Sequence, residues 1–157
     1  MPVMRGLVQR VKQASVTVTG EVAGEPSSGE VVGAVGHGLC VLVGVTHTDT
    51  ADHARKLAEK IWHLRVMDDE AGVMNRSVAD TTREVLVVSQ FTLYGDTSAG
   101  RRPSWINAAR PEHAEPLVQA VVDHLRSLGA TVATGRFRTE MVVQIANDGP
   151  VTVLLEV

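Results

Sequence analysis

The chain reads as an α/β domain, richer in strands than in helices, in which two helices cover a sheet. Three observations predict this. Short apolar, β-branched runs recur from the first residues to the last. Only two stretches, one after Asp49 and one after Pro111, space their apolar residues at i, i+3 and i+4 as an amphipathic helix does. No repeat, linker or low-complexity segment divides the 157 residues, so they form one domain, 1–157, long enough to bury a core.

Taken in order, 4–11 and 15–19 are expected as two strands joined by the polar pair Lys12-Gln13, and Thr19-Gly20-Glu21 as a turn into a short strand around Val22. From 24 to 38 the composition shifts to Pro26, Ser27, Ser28 and glycines at 24, 29, 33, 36 and 38, which predicts a loop or an extended hairpin without chemistry. Leu39–Val45 is a central strand. Asp49 or Thr50 caps a helix whose apolar face is Ala54, Leu57, Ala58, Ile61 and Trp62. Strands are then expected at 64–67, just beyond the turn 68–72, and at 84–93, followed by a polar loop over 94–104. Pro111, in a first-turn position that needs no N–H, opens a second helix that buries Leu117, Val118, Val121, Val122, Leu125 and Leu128 until Gly129 stops it. Strands at 131–134, 141–146 and 151–157 finish the chain.

Bulk properties exclude several classes. Mean hydropathy near zero fits a soluble globular protein, and the longest apolar run, Leu39–Val45, falls far short of the ~20 residues of a membrane helix. The N-terminus shows no secretory h-region. The single Cys40 lies in that apolar run and cannot form an internal disulfide, in keeping with a reducing cytoplasm. A net charge of −3 argues against a large basic surface for nucleic acid, though not against a local basic patch.

Two segments concentrate chemistry. In Ser89-Gln90-Phe91-Thr92-Leu93-Tyr94-Gly95-Asp96 a buried, β-branched run turns abruptly polar, which brings hydroxyls, an amide and main-chain N–H groups to the edge of a core. In Asn147-Asp148-Gly149-Pro150-Val151-Thr152 a Gly-Pro turn separates two apolar runs. Together they resemble the paired signatures of the D-aminoacyl-tRNA deacylases, departing only by Gly95 where that family usually carries Ala. The opening Met4–Val11, the segments 39–46 and 74–78, Gly100-Arg101-Arg102-Pro103-Ser104 and Thr134-Gly135-Arg136-Phe137 are similar as well. The resemblance therefore spans nearly the whole chain, with 24–38 as a probable insertion.

The resemblance implies layered sheets and helices in a homodimer. It also implies an enzyme that hydrolyses the ester between a D-amino acid, or mischarged glycine, and tRNA, and so protects translation. Ser89, Gln90, Phe91 and Thr92 would line the pocket for the 3′-terminal adenosine and its amino acid, with the N–H groups of Phe91 and Thr92 stabilising an oxyanion. Read alone, Gly149-Pro150 is an ordinary turn, since only about 5–6% of X–Pro bonds are cis. The family likeness makes it a cis bond that enters the partner subunit's pocket and excludes L-amino acids by steric clash, with Arg10 holding the turn by hydrogen bonds. Arg101 and Arg102, plain solvated charge when taken alone, would meet acceptor-stem phosphates.

Other chemistries find little support. There is no G-x-S-x-G elbow, no H-E-x-x-H and no Cys–His pairing. The six histidines are scattered, and His53 and His63 sit nearly three turns apart on one helix, so neither a metal nor any other cofactor is expected. Asp68-Asp69-Glu70 reads as a solvated turn lacking EF-hand spacing. Gly33-x-x-Gly36-x-Gly38 precedes a strand instead of opening a helix and is no phosphate loop. With no side-chain acid, base or nucleophile in view, one rival stands: a non-catalytic RNA- or nucleotide-binding dimer with the same pocket.

Overall fold

The computed structural model describes residues 3–20 and 29–157. The expected strand around Val22, the end of the turn that leads to it, and 24–28 of the expected insertion lie outside these residues.

Strand β1 (Arg5–Val18) is the spine. Along one edge it pairs antiparallel with β8 (Met141–Glu156) over nearly its whole length. Along the other it pairs first with β3 (Gly38–Gly44) and then with β2 (Val31–Val35). The two strands expected at 4–11 and 15–19 are thus one. Lys12 and Gln13 interrupt the apolar pattern but not the backbone, because they face solvent while register shifts beside them absorb the irregularity. The expected loop over 24–38 likewise contributes a strand, β2, within an extended hairpin.

From β3 the sheet continues through two parallel strands, β6 (Glu84–Ser89) and then β7 (Thr131–Thr134). The ends of this order, β2 and β7, meet. A side chain on Gly33 would fall 2.2 Å from the Thr134 carbonyl, so only glycine lets the sheet come so near to closing.

Both faces of β3 and β6 are covered, as parallel pairs require. Leu39, Val41, Val43, Val85 and Val87 face helices α1 (Ala51–His63) and α3 (Pro111–Ser127), packing with Leu57, Ile61, Val121 and Leu125. The alternate residues Cys40, Leu86 and Val88 join Val11, Ala14, Val16 and Val35 in a second apolar cluster inside the curled sheet. Most of these side chains are fully buried, and each large one contributes roughly 1.5–3 kcal/mol.

Three local expectations are corrected. Of the expected strand at 64–67 only Met67 pairs, as part of β4 (Met67–Asp68) with β5 (Met74–Arg76), because Leu64 is still occupied in capping α1. A further four-residue helix, α2 (Val78–Thr81), follows a capping box in which Ser77 and Asp80 exchange bonds. The final 16 residues before Val157 form one strand, not two, although its pairing with β1 jumps from Asn147 to Thr152.

Candidate active site

Strand β6 ends where its partner ends. The last pairing is Ser89 with Val43, and Gln90 N–H then donates to the Val43 carbonyl (2.8 Å). With no ladder beyond this point, Phe91–Tyr94 winds into a single 3-10 turn, which corrects the expectation of a strand running to Leu93. Leu93 N–H donates to the Gln90 carbonyl and Gly95 N–H to that of Thr92. The N–H groups of Phe91 and Thr92, first in the turn, have no acceptor among the described residues, as helix geometry dictates for leading donors.

Several contacts hold this turn. Arg5 donates from Nη1 to the Leu93 carbonyl (2.9 Å), lies over the Tyr94 ring at 4.8 Å and pairs with Glu156 at 3.3 Å. Gly44, at the end of β3, has the Tyr94 ring 3.1 Å from where a side chain would begin. Tyr94 is buried, and burial pushes its phenol well above the usual tyrosine range, so it stays neutral. Gln90 Nε2 donates to Thr92 Oγ1, so the Thr92 hydroxyl is engaged locally.

The turn edges a cavity of about 590 Å³, within the usual range for ligand sites. It is lined by Val43, Val45 and Val88 and by Ser89, Gln90 and Phe91 at the end of β6. Trp105, Ala109 and Pro111 line it as well, as do Phe137, Arg138, Thr139 and Met141. Phe91 and Trp105 meet edge to face, ring centres 5.4 Å apart.

The loop carrying Trp105 is pinned from beneath. Thr46 Oγ1 donates to the Asn107 carbonyl (2.6 Å), His47 Nε2 bonds the Ile106 carbonyl (2.6 Å), and Ala109 N–H donates to Val45. Asp49 accepts from Thr46 N–H at 2.7 Å and faces His53. Burial raises its pKa above the usual carboxylate value, with the Thr46 N–H and His53 opposing.

The second signature lies elsewhere. Between Asn147 and Thr152 the chain leaves its pairing with β1, opposite Arg10. Arg10, its side chain only 12% exposed, donates from Nε to the Asp148 carbonyl (3.1 Å) and from Nη1 to that of Val66 (2.8 Å), and pairs with Asp68 and Asp148. Asn147 Oδ1 accepts from Val151 N–H and Asn147 Nδ2 donates to Thr152, closing the segment. The Gly149–Pro150 bond is cis and Gly149 has φ +128°, a conformation open to glycine.

None of Gly149, Pro150, Arg10 and Thr92 lines the cavity, and the Thr92 hydroxyl bonds Gln90 beside it. Arg101 and Arg102 are exposed, in a loop closed by the Asp96–Ser104 bridge, and bond none of the described residues. Arg5, Trp105, Phe137 and Arg138 were not singled out from sequence. One signal was available: the chain has five aromatic residues, and three of them, Phe91, Trp105 and Phe137, line this cavity. Among the described residues no three His, Cys, Asp or Glu groups converge as metal ligands. Burial raises the Cys40 thiol to about 11, which leaves it no thiolate character at neutral pH.

Fold and site define a small α/β protein with an apolar, aromatic-walled cavity at the end of β6. The D-Tyr-tRNA(Tyr) deacylase family matches residues 7–156, and the chain belongs to that family. It is 57% identical over 155 residues to a D-aminoacyl-tRNA deacylase of Nocardia farcinica, covering 98% of this chain and 99% of that one. It is 54% identical to that of Halalkalibacterium halodurans over 153 residues, again 98% and 99% of the two chains. Among solved structures, one titled c-Myc DNA Unwinding Element Binding Protein superposes with a TM-score of 0.87 at 38% identity, covering 98% of both chains. A probable eukaryotic D-amino acid tRNA deacylase shares the fold at TM-score 0.81 and 14% identity, covering 99% of this chain and 100% of that one.

Proposed function

We propose that this protein hydrolyses the ester between a D-amino acid and tRNA, releasing free amino acid and tRNA, with mischarged glycyl-tRNA as a second substrate. The carrying observation is the pair of N–H groups on Phe91, which lines the cavity, and on the adjacent Thr92, both without an acceptor among the described residues, in a chain that matches this family over nearly its full length. Water adds to the ester carbonyl, and the two donors stabilise the oxyanion that develops. Each such donor is worth roughly 3–4 kcal/mol of transition-state stabilisation. Collapse breaks the bond to the ribose oxygen, which takes up a proton. The substrate's α-ammonium and neighbouring ribose hydroxyl activate the ester, so positioning and charge stabilisation are what the protein supplies.

Chirality is read by a second copy of the chain. The extruded Gly149–Pro150 segment, anchored by Arg10, would present its carbonyls to that copy's cavity and crowd an L side chain. Strand β8 supports a homodimer: among the described residues only one of its edges is paired, and Val142 and Leu154 on it are about half exposed. Arg101 and Arg102 would meet backbone phosphates of the acceptor end. The setting is cytoplasmic translation; no helix among the described residues is long and apolar enough to cross a membrane.

The neighbour titled as a DNA element binding protein favours a second reading, a nucleic-acid-binding dimer without catalysis. Release of amino acid from matched D- and L-tyrosyl-tRNA, with and without chelator, separates the two. D-selective release that survives chelation is expected. Tight binding without release establishes the binding module, and equal release of both isomers removes the chiral role of Gly149–Pro150.

A further inference from the structure

Gly95 directly follows the 3-10 turn, and its surroundings explain why no side chain stands there. A Cβ built there would lie 2.7 Å from Cζ3 of the Trp105 indole and 3.1 Å from the Thr92 carbonyl oxygen. The first distance is well inside van der Waals contact, so the indole occupies the space that a methyl group at 95 would fill. Neither backbone can retreat. Gly95 N–H is tied to Thr92, and Asp96 and Ser104 bond each other in both directions. Beyond Trp105, the carbonyls of Ile106 and Asn107 are held by His47 and Thr46, and Ala109 N–H by Val45. A methyl at 95 would therefore have to be absorbed by rotation of the indole, whose other neighbour is the Phe91 ring that it meets edge to face. Both rings line the cavity, and Phe91 carries one of the two free N–H groups.

We propose that Gly95 and Trp105 act as a pair that sets the aromatic wall of the cavity, making Trp105 a specificity-determining residue for the acylated 3′ end of the RNA. The inference rests on the functional reading above for its ligand, but not for the seat of the indole. The wall acts on how tightly the ligand is held. The Thr92 carbonyl and the 3-10 turn keep their own bonds, so the chemical step is spared. An indole reaches position 95 with its six-membered ring; a phenyl ring, one ring shorter, would leave room for alanine.

The pair can be tested in the full-length chain carrying Trp62→Phe, which leaves Trp105 as its sole indole. Three further variants are needed, Gly95→Ala, Trp105→Phe and their combination, each checked by thermal melting. In Gly95→Ala, acrylamide quenching of Trp105 should change. KM for D-tyrosyl-tRNA should rise roughly three- to tenfold while kcat stays within about twofold, the signature of lost binding. The combined variant should return KM to that of Trp105→Phe alone. Unchanged quenching and KM in Gly95→Ala, or a combined variant no better than Gly95→Ala, would overturn the proposal. If the parent protein hydrolyses no aminoacyl-tRNA, the functional reading falls, and the quenching comparison still decides whether Gly95 seats Trp105. If Gly95→Ala does not fold, Trp105→Leu serves instead: a raised KM at constant kcat supports the wall, and an unchanged KM removes it.

Discussion

The two signature segments are built on opposite plans. Ser89–Tyr94 is turned inward: it edges a cavity of its own chain, and neighbours from β1 and β3 hold it. Asn147–Thr152 is turned outward: it leaves the β1 ladder, is fastened by Arg10 and its own Asn147, and does not line that cavity. The inward segment lies against a cavity of its own chain, whereas the outward one is a fully braced projection away from it. A braced projection is the form expected of a part that serves another copy. The difference teaches that local rigidity alone does not say where a segment works.

Breaking the outward segment should have the largest effect. Gly149→Ala places a side chain 2.8 Å from Val151 Cγ2 and 3.0 Å from Arg10 Nη2 at a positive φ. The ratio of D- to L-tyrosyl-tRNA hydrolysis should fall by roughly a hundredfold, equivalent to about 3 kcal/mol, with L-ester release assayed directly. Loosening the inward segment comes next. Arg5→Met leaves the Leu93 carbonyl without its donor, at a cost of about 1–3 kcal/mol. It should slow kcat about tenfold while the D/L ratio holds; a changed ratio would mean that the two segments are not independent.

Smaller effects sharpen the contrast. Replacing Arg101 and Arg102 together by alanine should weaken tRNA binding and reduce its logarithmic salt slope by about 1–2, without altering chirality, as read by binding titrations at several salt concentrations. Asp49, beneath the inward segment, has a raised pKa in the folded protein. As pH climbs from the unfolded value to the folded one, the unfolded chain ionises first, so stability falls across that acidic interval. Asp49→Asn should flatten that decline in melting temperature. Thr92→Ala should change least, within about threefold in kcat/KM, if the groups proposed to act there are main-chain donors. Losses of several orders of magnitude in folded Ser89, Gln90 and Thr92 alanine variants would instead assign the chemistry to side chains.

Much of this was legible in the residues. The unbroken apolar runs of Leu39–Val45 and Val85–Val88 pointed to buried strands, and Pro111 and the Asp49-Thr50 pair marked helix starts that the structure keeps. What failed to show was where pairing runs out. Nothing local in Gln90-Phe91-Thr92-Leu93 forbids a strand; β6 stops there because β3 stops at Gly44. Lys12-Gln13 misled in the opposite sense, since a polar pair can ride through a strand when both residues face solvent. The cavity's far wall was hidden for a similar reason. Trp105 and Phe137 are far from Ser89 in sequence, and only the crossing of β7 beside β6 and the pinned loop before α3 bring them together. Arg5 opens β1, and its bond to Leu93 spans 88 residues, beyond any local signal.

The two N–H groups at the head of the 3-10 turn have a pharmacological consequence. Reagents that trap hydrolases do so by capturing a serine, cysteine or activated water-bearing metal. Here the donors cannot be acylated or alkylated, and Cys40 is buried and protonated with its pKa at about 11. Fluorophosphonates and iodoacetamide should leave the protein untouched. On the oxyanion role proposed for these donors, an effective inhibitor would have to imitate the oxyanion on a stable, non-hydrolysable RNA 3′ end, and resistance could not arise by deleting a catalytic side chain.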